Sequence, residues 1–189
     1  MSESLRSFIA FDIENEAVLN RLRRFQQGLA ETGADLKPVK PENIHMTIRF
    51  LGNIASYMVD RVFDVIRQVK FKPFSISLRG VGVFPSSRNP RVVWAGISDG
   101  ADQLRIISKQ LEISLGSLGM TPDKKGFTPH LTVARVRSGR NSPKLASCLH
   151  SNADYEFGAI DAKCLRLKRS ILTPQGPVYS TLREFCPPP

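Results

Sequence analysis

Residues 44–52 read IHMTIRFLG, and residues 128–136 read TPHLTVARV. Each contains His, an apolar residue, Thr and another apolar residue. Strand side chains alternate between two faces, so each phrase predicts a strand with His and Thr on one side. His45 and Thr47 share one such face, and His130 and Thr132 share the other. The chain holds only three histidines, and two stand in these matched phrases. A duplicated element facing one shared site is the reading that follows.

Working outward, RSFIAFDI (6–13) is a β-rich run and predicts a strand. Val18, Leu19, Leu22, Phe25 and Leu29 recur at helical spacing over 15–31, with Gly33 as the stop. KPVKPEN (37–43) reads as a Pro-bearing loop before the first motif strand. Met58, Val62, Val65, Ile66 and Val69 predict a helix over 55–69, and FSISLRGVGVF (74–84) alternates as a strand. PSSRNP (85–90) is turn-rich. The same order then recurs. RVVWAGI (91–97) is a strand, with Trp94 expected in the core. Leu104, Ile107, Leu111 and Leu115 mark a helix over 101–118, and the loop DKKGFTP leads to the second motif strand. SPKLASCLH (142–150) predicts a short helix with Ser142 as cap and Pro143 first. YEFGAIDAKCLRLKRSIL and VYSTLREF supply the last strands, and residues 187–189 are expected to be a disordered tail. The halves therefore share strand, helix, motif strand, helix, strand. This pattern predicts an α+β fold of two similar lobes facing each other across a cleft, within one domain over 1–189.

Composition bounds the partners. Hydrophobic residues make up 41% and charged residues 23% of the 189, as in an ordinary soluble protein. No apolar run is long enough to span a membrane, and the N-terminus does not read as a secretory signal. Cytoplasmic residence is the default. The net charge of +10 is spread over both halves and favours a polyanionic partner, nucleic acid above all. Cys148, Cys164 and Cys186 are odd in number and form no CxxC pair. They read as free thiols in a reducing compartment.

Paired histidines suit acid–base chemistry on phosphate. An unperturbed imidazole titrates near neutral pH, so a neutral one can take a proton from water while a protonated one gives a proton to a leaving oxygen. Thr hydroxyls can donate to non-bridging phosphate oxygens. A zinc site at His45 and His130 lacks an evident third ligand, since neither motif holds Asp or Glu. His150, in the run LHSN, reads as a surface residue at a helix end.

The two phrases resemble the paired HxT motifs of the 2H phosphoesterase superfamily. The closer resemblance is to its RNA 2′,3′-cyclic phosphodiesterase branch, long called 2′-5′ RNA ligase (LigT/ThpR type). RSFIAFDI, KPENIHMTIRFLG, GVGVFPSSRNPRVVWAGI, FTPHLTVARV and LTPQGPVYSTLREF all carry it, in family order. The resemblance implies antiparallel sheets lining a central cleft, helices outside, and lobes related by pseudo-twofold symmetry. It implies opening of 2′,3′-cyclic phosphate RNA ends to a 2′-phosphomonoester without cofactor or metal. It also implies ATP-independent 2′-5′ joining of tRNA halves. By motif, His45 is the proton donor, His130 the proton acceptor, and Thr47 and Thr132 hold the phosphate. The near-symmetry leaves the two histidine roles exchangeable. Arg135 carries over as a phosphate contact, yet ideal alternation points it away from His130 unless a bulge or strand end intervenes. Arg49 shares the face of His45 by alternation and is a candidate for RNA backbone contact. Phe8 is a candidate for stacking on a base or sugar, with core packing as the alternative. An RNA-binding module without turnover and a metal-dependent hydrolase are the rival classes. A monomer is the default.

Overall fold

Asn15 starts the first helix. Its side-chain oxygen accepts from the backbone N–H groups of Ala17 and Val18, satisfying donors that no helical carbonyl can reach. The helix α1 (Glu16–Glu31) buries the apolar stripe of Val18, Leu22, Phe25 and Leu29, and Gly33 follows it with a left-handed φ of 65°. The computed structural model describes residues 3–188. Its other elements follow in chain order. Strand β1 (Ser4–Asp12) precedes α1, and β2 (Leu36–Pro38), a 3₁₀ turn (Pro41–Asn43), β3 (His45–Ala55), α2 (Met58–Gln68) and β4 (Phe74–Phe84) come after it. Then come β5 (Val92–Asp99), α3 (Ala101–Ser117), β6 (Leu131–Val136), α4 (Ser142–Ser151), β7 (Glu156–Ala162), β8 (Leu165–Thr173) and β9 (Gly176–Phe185).

The fold is α+β, with two antiparallel sheets and four helices. One sheet has the order β3-β1-β8-β9, the other β2-β6-β5-β4-β7. In each, a motif strand pairs with the strand that precedes it across a helix: β1-α1-β3 in the first, β5-α3-β6 in the second. The lobes are not sequence halves. The first sheet takes β8 and β9 from the C-terminal end, and the second takes β2 and β4 from the N-terminal half. The helices cross over as well. α1 lies against β2, β6 and β7 of the second sheet, while α2 and α3 lie against β3 of the first. Apolar side chains on the helix-facing sides of the sheets, among them Ile9, Phe11, Met46, Leu131, Phe157 and Leu167, are fully buried, each stabilising the fold by roughly 1.5–3 kcal/mol.

Four expectations change. The segment 36–38 is a short edge strand on β6 rather than loop. Asn141, not Ser142, caps α4. It sits at φ 53°, a left-handed conformation that Asn tolerates, and donates its side-chain amide to the Gly33 carbonyl. Trp94 lies directly across β6 from Thr132 and across β4 from Gly82. It is half-buried on that face, its ring lying where a Cβ on Gly82 would stand. Cys164 and Cys186 are joined by a disulfide, so the reading of three free thiols holds only for Cys148. Leu165 pairs with Phe185 in the β8–β9 hairpin, which brings the flanking cysteines together. Closing that loop constrains the unfolded chain by roughly 3 kcal/mol. Of the expected tail, Pro187 and Pro188 carry no regular structure, and Pro189 lies outside the described residues.

Candidate active site

The two motif strands meet at a cleft with a cavity of about 460 Å³, within the ordinary span of ligand pockets, ~300–1,000 Å³. His45 opens β3, and His130 immediately precedes β6. Both rings are pinned alike. His45 Nδ1 lies 2.8 Å from the Asn43 carbonyl, and His130 Nδ1 lies 2.7 Å from the Thr128 carbonyl. A carbonyl only accepts, so each Nδ1 carries the hydrogen and Nε2 is the lone-pair nitrogen of the neutral ring. Thr47 and Thr132 line the same cavity.

Each motif strand is bulged just past its threonine, and the bulges decide what else enters the cleft. In β3, Ala10 pairs with Thr47 but Ile9 pairs with Arg49. Ile48 is the extra residue, and it reverses the alternation. Arg49 therefore leaves the cleft, contrary to the expectation of an RNA contact. It is only 9% exposed, forms an ion pair with Glu112, and donates to the Thr121 carbonyl. Phe50 takes the place on the cleft side, 56% exposed. In β6, Trp94 pairs with Thr132 but Val93 pairs with Ala134, leaving Val133 extra. That shift turns Arg135 onto the face of His130 and Thr132, where it lines the cavity. The bulged Val133 carbonyl is satisfied twice, by the Val39 N–H and by the Gln26 side-chain amide, both at 2.9 Å. The same amide donates to the Val39 carbonyl at 2.8 Å.

Phe8 reaches the cleft, but its ring faces His45 at 4.7 Å between centroids and is 2% exposed. It packs the imidazole more than it offers a surface to a ligand. Tyr179 meets His45 edge-on at 5.1 Å, and Phe84 does the same for His130 at 4.9 Å. Tyr179, Phe84 and the basic rim are site residues that the motif reading missed. Arg6, Lys37 and Lys40 join Arg135 around the cavity, and no Asp or Glu lines it among the described residues. Lys37 was findable only through its pairing with Arg135 in β2–β6.

Burial lowers the pKa of His45 to about 4; Lys168 and Arg135 push the same way, while the Asn43 carbonyl and Asp12 oppose. Burial also lowers that of His130, against its bond to the Thr128 carbonyl. Both shifts favour the neutral rings at pH 7. An anion between them favours their charged forms. His150 stands exposed in the last turn of α4 and does not line the cleft. Among the described residues, one group of three His, Cys, Asp or Glu ligand atoms lies close enough to share an ion. It is Cys164, Glu184 and Cys186, with its two sulfurs already joined; neither motif histidine belongs to such a group. The cleft therefore offers two unencumbered imidazole nitrogens, two hydroxyls and an arginine, ringed by positive charge.

A family model described as LigT-like phosphoesterase matches residues 13–94 and 96–179, one motif in each stretch. A protein of Aeropyrum pernix named RNA 2′,3′-cyclic phosphodiesterase is 41% identical over 167 residues, covering 88% of this chain and 95% of that one. One of the same name from Methanothermobacter thermautotrophicus is 36% identical, covering 96% and 98%. A crystal structure of a Thermus thermophilus protein superposes with a TM-score of 0.79 at 27% identity, over 96% of this chain and 97% of that one. E. coli LigT, solved with 3′-AMP, shares the fold with a TM-score of 0.76 at 19% identity, over 97% and 98%.

Proposed function

The chain belongs to the LigT-like phosphoesterase family, and from that premise we propose that it opens RNA ends bearing a 2′,3′-cyclic phosphate to 2′-phosphomonoesters. Membership makes it a phosphodiesterase-type hydrolase. The substrate and the residue roles are our reading, taken over residues 1–189 as one domain. The observation that carries it is the matched pinning of the histidines: two Nδ1–H groups bound to carbonyls leave two Nε2 atoms for one basic cleft.

In the mechanism, His130 takes a proton from the attacking water as the water oxygen bonds to phosphorus. His45, protonated, gives its proton to the departing 3′ oxygen. The 2′ ester bond stays intact. Thr47 and Thr132 donate to non-bridging oxygens, and Arg135 offsets the charge that builds on them. The low pKa of His45 does not bar an acid role, because a phosphodiester anion bound beside it stabilises the imidazolium. After the step His45 is neutral and His130 protonated, and exchange with solvent resets both. A 5′-hydroxyl in place of water would yield a 2′-5′ linkage, the ligase activity on tRNA halves that belongs to the same reading.

RNA fits the rim as a polyanion. No described helix is long and apolar enough to cross a membrane, and we take the protein to act as a cytoplasmic monomer. The test is product mapping. An oligonucleotide ending in 2′,3′-cyclic phosphate is incubated with EDTA present, and the products are resolved. Conversion to the 2′-phosphate supports the reading. Formation of the 3′-phosphate, loss of turnover with chelator, or tight binding without product would each overturn it.

A further inference from the structure

Beside His45 lies a part-buried ion pair that the chemistry above does not use. Asp12 is the cross-strand partner of His45 in β1–β3. Lys168, on β8, is the cross-strand partner of Phe8, the ring that packs on His45. Opposed residues share a face, so Asp12, His45, Phe8 and Lys168 all project from one side of the sheet. Ala10, between Phe8 and Asp12 on β1, carries only a methyl group and leaves the way open. The lysine stem runs across it, and Nζ reaches both Asp12 oxygens, at 2.6 and 2.7 Å. Lys168 is only 8% exposed. Arg166 adds a second cation to Asp12 at 3.3 Å, and is itself held by Glu14 and Glu184.

A lysine is seldom buried without a task, because desolvating its ammonium is expensive even when paired. Here the ammonium is fixed beside an imidazole whose charge changes in each cycle. The charged and titratable groups around His45 are Asp12 and Arg6 on β1, Lys168 and Arg166 on β8, Tyr179 on β9, and, across the cleft, Arg135 on β6 and His130 just before it. Of these, Lys168 and Asp12 are bonded to each other, the lysine buried and the carboxylate 24% exposed, so solvent screens the pair only in part.

We propose that Asp12 and Lys168 are positioning residues for His45, a fixed pair of opposite charges laid across Ala10 that sets how readily the imidazole releases its proton. The ammonium drives the proton off the ring toward the leaving oxygen. The carboxylate anchors the ammonium and keeps the ring from being discharged too early. Neither group touches substrate. The proposal rests on the reading of His45 as the general acid, and its test has a part that does not need turnover.

The experiment follows the His45 ring by NMR, in protein saturated with inorganic phosphate, alongside the pH dependence of kcat on a cyclic-phosphate RNA. Lys168→Met is expected to move the His45 midpoint and the alkaline limb of kcat upward by about one pH unit, and Asp12→Asn to move both downward by a similar amount. Lys168→Arg should keep the wild-type profile. General loosening of the sheet would admit water and raise the midpoint in both variants, so shifts in the same direction, or none, overturn the proposal. Should either variant fail to fold, the wild-type protein decides. The Lys168 Cε and Asp12 Cγ signals must step at the midpoint of His45, and their silence there overturns the proposal. If the wild type shows no turnover while the opposed shifts appear, the reaction assignment fails and the charge pair stands.

Discussion

The motif strands β3 and β6 begin alike and diverge after four residues. Each presents an imidazole pinned at Nδ1 and a threonine on the cleft, and each then slips by one residue. On β6 the slip delivers Arg135 to the cleft. On β3 it withdraws Arg49 into the protein and leaves Phe50 in its place. The surroundings differ too. His45 is walled by Phe8 and Tyr179 and underlain by Asp12 and Lys168. His130 is less deeply enclosed, with Phe84 at its edge. A duplicated phrase thus fixes two nitrogens and two hydroxyls, while each strand's partners decide what stands beside them.

The comparison can be broken most directly at the shared part. His45→Ala and His130→Ala should each lower kcat on a cyclic-phosphate substrate by about 10²–10⁴-fold, measured at saturating substrate; a full rate in either variant would remove that histidine from the chemistry. The unshared arginines should separate next. Arg135→Ala is expected to cost on the order of 10²-fold in kcat. Arg49→Ala should leave kcat within a few-fold but cost about 1–3 kcal/mol in denaturant unfolding, because the Thr121 carbonyl and Glu112 lose their partner. The opposite ranking would mean that Arg49 reaches the substrate after all.

The pH dependence of stability sharpens the contrast. The folded protein holds both histidines below their ordinary pKa, so the unfolded chain binds more protons in the window beneath it. Stability contributed by His45 is complete above pH 6.5 and is lost as pH falls toward about 4, amounting to about 3 kcal/mol. His45→Gln should flatten that slope more than His130→Gln does, and equal slopes would deny that the first ring is the more buried. The smallest effect concerns the bulge itself. Gln26→Leu removes the amide that supports the Val133 carbonyl. A loss of a few-fold in kcat is expected, with no further loss when Arg135 is already alanine. Additive losses would show that Gln26 acts elsewhere.

Long periodic elements were legible in the sequence, and so was the pairing of the two motifs. α1, β4, β5 and α3 appear close to where apolar spacing places them, since local burial alone generates those patterns. The bulges were not legible. Alternation assumes an unbroken ladder, and an extra residue leaves no mark of its own in TIRF or TVAR. β2 was hidden by Pro38 and its length of three residues. The interleaving of the sheets and the Cys164–Cys186 bridge depend on contacts between distant segments, on which neighbouring residues are silent. Lys168 read as one more charge in LRLKRS until the strand pairing set it beside Phe8 and Asp12.

The order β3-β1-β8-β9 also has a consequence for biogenesis. A ribosome releases β1 and β3 early, yet β8 and β9, which carry Lys168 and Tyr179 and complete their sheet, emerge only after every strand of the second sheet. Until then the nascent chain carries His45 on an unfinished sheet, with one edge of β1 open to whatever strand arrives first. A chain stalled before β8 would display the first histidine and lack the wall and charge pair that surround it.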